Sequence, residues 1–247
     1  MRNIIFELCS ETIDACIAAR EGGAARIELC SALSEGGLTP SHGLIRDAVL
    51  LSGLPIHGLV RPRGGDFLYS DAEVAIMRED IVHMKSLGVS GVVLGLLKED
   101  GSVDRERTQE LVRLARPLEV TFHRAFDSTP SLEQALEDVI ATGCDRLLTS
   151  GGQPDVVTGA ASLAKLVAQA AGRIEIAIGG GLRLQDAAAL ARLTGAQHFH
   201  GSMRSKHSEP TLYSPSEVAS DHASRSKTHY AVAPDAVRTI IERLRNA

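Results

Sequence analysis

The chain has 247 residues, 44% hydrophobic and 23% charged, a length at which one α/β barrel is a common solution. A formal net charge of −5, 3% aromatic residues and no Trp argue against a general nucleic-acid binder, which needs a basic face and stacking platforms. The amino end has only the apolar run Ile4-Ile5-Phe6 before Glu7, and no later run reaches the roughly 18 apolar residues of a membrane span. The expected location is therefore the cytoplasm, with no membrane partner. Its four cysteines (Cys9, Cys16, Cys30, Cys144) are expected there as thiols.

Short β-rich runs alternate with segments of helical period along nearly the whole chain. The expected strands cover residues 4–9, 26–30, 56–61, 91–97, 118–126, 146–150, 174–178 and 197–200. Between them, apolar residues recur at three- and four-residue spacing, as in Val74, Met77, Ile81, Met84 and Leu87. Helix starts are expected after Ser10, Ser70 and Ser131, and glycines close helices at Gly22-Gly23, Gly88 and Gly143. Eight such units predict a single (β/α)₈ TIM barrel over residues 1–247. One stretch breaks the rhythm: 202–234 carries His207, His222 and His229 without a clear period, and reads as a long loop before a last helix at 235–245.

The first two strands repeat a motif. Glu7-Leu8-Cys9-Ser10 returns 21 positions later as Glu28-Leu29-Cys30-Ser31. Alternation along a strand puts Glu7 with Cys9, and Glu28 with Cys30, on one face, and neighbouring strands lie about 4.8 Å apart. Two adjacent thiols suit a soft monovalent ion such as Cu(I), but buried cysteines also serve as plain space-fillers. Cys16 and Cys144 have no evident partner.

A second constellation gathers where strands three and five end, the face on which barrels bind ligands. Arg61 and Arg63 leave the third strand before Gly64-Gly65-Asp66, and His123-Arg124-Ala125-Phe126-Asp127 closes the fifth. Such a density of charge must pair internally or meet a ligand. His123 beside Asp127 fits general acid–base work near neutral pH, with Glu7 and Glu28 as further catalytic candidates. Thr149-Ser150-Gly151 and Gly179-Gly180-Gly181 offer backbone N–H groups to a phosphate or carboxylate, or are simply tight turns. His198 and His200 share a face of strand eight; a divalent-metal site with Glu7, Glu28 and His123 finds no support in ligand spacing. Lys98, already in a turn, is poorly placed for a Schiff base.

Four long, ordered motifs carry a resemblance. Glu28-Leu29-Cys30 leading to Glu35-Gly36-Gly37-Leu38-Thr39-Pro40-Ser41, then Arg61-Pro62-Arg63-Gly64-Gly65-Asp66-Phe67, then Thr121-Phe122-His123-Arg124-Ala125-Phe126-Asp127, then Leu148-Thr149-Ser150-Gly151 closely resemble the CutC family. The resemblance spans Glu7 to about His200. It implies a cytoplasmic TIM barrel associated with copper homeostasis, Cu(I) held by Cys9 and Cys30, and homo-oligomers in some members. Gly201 departs from the family pattern, and the 202–234 stretch is less family-like, so its histidines are not carried over as ligands.

Two functions stay open at this level. One is a copper binder using Cys9 and Cys30. The other is an enzyme acting on a small carboxylated or phosphorylated metabolite through His123 and Asp127, with Arg61, Arg63, Arg124, Ser150, Gly151 and Gly180 binding the anion.

Overall fold

Eight short strands, buried on both faces, alternate with eight helices in the computed structural model, which describes residues 3–208 and 228–247. The strands are β1 (Ile5–Ser10), β2 (Arg26–Leu29), β3 (Ile56–Leu59), β4 (Gly91–Leu94), β5 (Glu119–Phe122), β6 (Arg146–Thr149), β7 (Glu175–Gly179) and β8 (His198–Gly201). Each pairs in parallel with the next, and β8 pairs with β1 to close the barrel. The helices are α1 (Ile13–Gly22), α2 (His42–Leu51), α3 (Asp71–Ser86), α4 (Arg105–Ala115), α5 (Leu132–Thr142), α6 (Ala160–Ala170), α7 (Ala187–Thr194) and α8 (Pro234–Arg245). Their apolar stripes pack on the sheet: Val74, Met77, Ile81 and Met84 of α3 are all buried. The last helix, α8, lies against α1 and α7. No helix among the described residues is long and apolar enough to cross a membrane.

Local chemistry sets the element boundaries. Ser70 caps α3 in a reciprocal capping box with Glu73, and Ser131 caps α5. Ser10, expected to start a helix, instead ends β1; Thr12 is the cap of α1, accepting from the Ala15 N–H. The fifth strand stops at Phe122 rather than 126. There His123 Nδ1 accepts from the Ala125 N–H at 3.1 Å and turns Arg124–Ser128 into a 3-10 helix. The 202–234 stretch is not wholly irregular. Its two ends, β9 (Arg204–Ser208) and β10 (Thr228–Val232), pair as an antiparallel ribbon. Their polar composition gave no apolar alternation to read. His207 and His229 occupy paired positions in that ribbon, and His222 lies outside the described residues.

Alternate residues of each strand point inward and stack in layers. The layer at the amino ends of the strands is ionic. Arg146, 1% exposed, donates to Glu7 (2.9 Å), Glu119 (3.1 Å) and Glu175 (3.3 Å). Arg26 reaches Glu7 and Glu119, and His57 and His198 approach the carboxylates of Glu119 and Glu175. Above it, toward the carboxyl ends, Cys9, Cys30, Leu59 and Val93 form a small apolar cluster separate from the main core.

Candidate functional site

Register brings the thiols together. Cys9 of β1 is paired with Glu28 of β2, and Cys30 follows at the end of that strand. Their sulfurs lie 3.8 Å apart, both buried, with Cys9 bordering the barrel mouth. The Cys9 thiol also donates to Glu28 Oε1 at 3.5 Å, and the Cys30 thiol to the Ser10 carbonyl at 3.6 Å.

Barrel closure adds a third donor. Because Glu7 is paired with His200 of β8, the imidazole Nδ1 sits 2.8 Å from Glu7 Oε1. That contact orients the ring, which also hydrogen-bonds the Cys9 thiol. One ligand atom each from Cys9, Glu28 and His200 falls within 4.8 Å of the others. The expected set of His198, His200, Glu7, Glu28 and His123 is not assembled in this way, since His198 is tied to Arg26 and Glu175 in the ionic layer. The role of His200 beside the thiols was hidden in sequence, because it depends on β8 returning next to β1.

The electrostatics of this group are those of a site short of positive charge. The hydrogen bond with Cys30, then burial, then the charges of Cys30 and Glu28 push the Cys9 thiol well above its ordinary value, against an opposing pull from His200. Burial raises Glu28, whose Oε2 is buried without a partner among the described residues. Burial alone would lower His200, but Glu28, Cys9 and Glu7 outweigh it and hold the imidazole well above its usual range. For Glu7 burial favours the neutral acid, yet the His200 hydrogen bond with Arg146 and Arg26 keeps it ionised, below the usual carboxylate range.

The polar rim has a different character. Arg61, 6% exposed, donates to the carbonyls of Glu35 (2.8 Å), Gly37 (2.8 Å) and Gly65 (2.9 Å), tying together the loops after β2 and β3. Arg63 is held by Glu73 (2.6 Å), Asp66 (2.9 Å) and the Leu68 carbonyl (2.7 Å). Both guanidiniums thus brace the chain itself. His123 is buried against the Phe67 ring, and burial with the nearby Arg61 charge pushes it down to about 3. It is a neutral side chain whose Nε2 lacks a partner among the described residues. Asp127 accepts from the N–H groups of Ser150 (3.0 Å) and Gly152 (2.9 Å), and from Arg124 Nε (2.8 Å). The anion cradled by the Ser150-Gly151 turn is the protein's own carboxylate. Cys16 and Cys144 are buried apart from the other thiols, Cys144 pushed by burial up to about 12.

Above Cys9 opens a cavity of about 280 Å³ bounded by Arg124, Gly180, Gly181, His200 and Arg204. A larger groove of about 830 Å³ lies outside the barrel mouth between the starts of α3 and α4. Its walls pair among themselves, Arg78 with Glu110 and Arg107 with Asp104.

Comparison with known proteins follows the same outline. The model of the CutC family matches residues 4–205. A CutC family protein of Chromobacterium violaceum is 52% identical over 200 residues, 81% of each chain. One from Vibrio cholerae is 46% identical over 213 residues, 85% of this chain and 84% of its own. The crystal structure of CutC from Streptococcus agalactiae, named for a proposed role in copper homeostasis, superposes with a TM-score of 0.76 at 32% identity. That alignment covers 81% of this chain and 98% of the other. The chain belongs to the CutC family.

Proposed function

We propose that this protein takes up one Cu(I) ion between Cys9 and Cys30, with His200 as third donor. The observation that carries the reading is the pair of buried sulfurs 3.8 Å apart beside an oriented imidazole. With metal–thiolate bonds of about 2.3 Å, the length known for zinc, a linear two-sulfur arrangement would need sulfurs about 4.6 Å apart. The shorter spacing favours a bent pair completed by a third ligand. Sulfur and imidazole donors select a soft ion over hard divalent ions, which prefer oxygen. Glu28 contributes buried negative charge near the sulfurs. The membership of a family named for copper homeostasis supports the reading, as does the thiol state expected in the cytoplasm.

The test is a competition against a Cu(I)-selective chelator under reducing conditions. The wild type should bind one equivalent tightly. Cys9→Ser/Cys30→Ser should lose that binding, and His200→Gln should weaken it at least tenfold with the stoichiometry unchanged. Equal affinity in the double variant would remove the copper assignment for this pair.

A further inference from the structure

Among the described residues the cavity above the thiols has walls of one sign. Its described lining contains Arg124, Arg204 and His200 but no aspartate or glutamate, in a chain where acidic residues outnumber Lys and Arg by 31 to 26. The compensating carboxylates lie behind the wall. Asp127 is 8% exposed beneath Arg124, whose own side chain is 41% exposed. Arg124 uses Nε on Asp127 and Nη2 on Ser150 Oγ (2.8 Å), while Nη1 has no partner among the described residues. Arg204 stacks on Tyr230 at 4.6 Å and touches Glu11 only at 3.4 Å.

The backbone contributes donors as well. Gly180 and Gly181 follow β7 and border the cavity, and their N–H groups make no hydrogen bond to any described residue. Gly180 has φ +112°, and a Cβ there would come within 3.0 Å of the Arg124 guanidinium carbon. Glycine is what lets the guanidinium lie flat against this turn. The turns after the seventh and eighth strands are where barrels of this class most often hold phosphate.

From this we infer that the cavity is a binding site for a small phosphate monoester, gripped by Arg124, Arg204 and the Gly180-Gly181 turn, with its other end over Cys9 and His200. Guanidinium and backbone N–H donors match the several oxygens of a phosphoryl group better than a single carboxylate does. A volume of about 280 Å³ limits the ligand to a small metabolite. The inference does not rest on copper binding, and it differs from the anion site expected in sequence because Arg61, Arg63 and the Ser150-Gly151 turn are already engaged within the chain.

The experiment titrates the full-length protein with inorganic phosphate and, separately, acetate, followed by calorimetry. A second readout is the rate at which iodoacetamide alkylates Cys9. Phosphate should bind saturably and slow Cys9 alkylation. Arg204→Gln and Arg124→Gln should each weaken binding at least tenfold, while Arg63→Gln and Cys30→Ser, a residue outside the cavity wall, should retain it. Arg204→Gln decides the matter if Arg124→Gln disturbs the Asp127 turn. The inference is overturned if phosphate does not bind, if acetate binds more tightly, or if Arg204→Gln binds as the wild type does. Retention of phosphate by Cys30→Ser, which lacks half of the proposed copper pair, separates this result from the fate of the copper reading.

Discussion

Glu7→Gln tests how the ionic layer supports the site above it. Glu7 is 3% exposed and accepts from Arg146 at 2.9 Å, lies 3.1 Å from Arg26 Nε, and meets His200 at 2.8 Å. Glutamine preserves the volume, so no cavity forms; what disappears is the negative charge between two guanidiniums and an imidazole. Breaking a buried ion pair from one side costs about 3–5 kcal/mol. Glu119 and Glu175, each about half exposed, also touch Arg146, so the lower end, about 3 kcal/mol, is expected. The assay is urea unfolding at pH 7, with the midpoint lowered and the slope unchanged. The pH dependence gives a second check. The native carboxyl is held below its unfolded value, so its contribution is complete above about pH 4.5 and is lost as pH falls toward the native pKa. The gap between wild type and variant should therefore narrow below pH 4.5. A loss under about 1 kcal/mol at pH 7, or a gap indifferent to acid, would refute the reasoning.

Gly95→Ala should destabilise the barrel by about 1–3 kcal/mol, because its Cβ would stand 2.4 Å from His123 Nδ1, on a buried ring with no room to retreat; unchanged thermal stability would show that the ring moves freely. Acid should weaken the fold before the carboxylates titrate. Burial first, and nearby arginines second, push His57 down to about 4 and His123 to about 3. A histidine depressed in the native state leaves stability intact above about pH 6.5 and removes it as pH falls toward the native value, on the order of 3 kcal/mol for His57. Urea midpoints should fall steadily from pH 7 to pH 5, and a flat profile there would contradict this account.

Periodicity made the barrel legible, since most strands are short, largely apolar runs that alternate with segments of helical period. The thiol pair was legible too, because Cys9 and Cys30 repeat one strand motif in neighbouring strands. Two features were not. Arg26 and Arg146 sit at strand starts and read as ordinary polar boundaries, yet the closed sheet turns them inward onto Glu7. The motif Arg61-Pro62-Arg63-Gly64-Gly65-Asp66 promised a ligand because arginines at a strand end usually need one; here main-chain carbonyls and local carboxylates supply the acceptors. Acceptors contributed by the backbone of distant loops leave no trace in residue identity.

The two proposed ligands should oppose one another, and the sign follows from charge. Binding one Cu(I) adds one positive charge, while two thiol protons leave and the His200 imidazolium must give up a third before the ring can act as a donor, so the loaded site is two units more negative than the free one. That charge lies directly under the cavity, since Cys9 belongs both to the sulfur pair and to the cavity floor. A phosphate on Arg124 and Arg204 would meet repulsion in a partly desolvated site, worth about 1–2 kcal/mol at an effective dielectric constant near 20. Phosphate affinity should thus drop about tenfold on copper loading. Linkage requires that saturating phosphate lower Cu(I) affinity by the same factor. Chelator competition with and without phosphate measures this directly. Equal Cu(I) affinity in both conditions would mean that loading leaves the net charge unchanged or that the two sites are electrically independent, and tighter binding with phosphate would mean that the ion enters without displacing any proton.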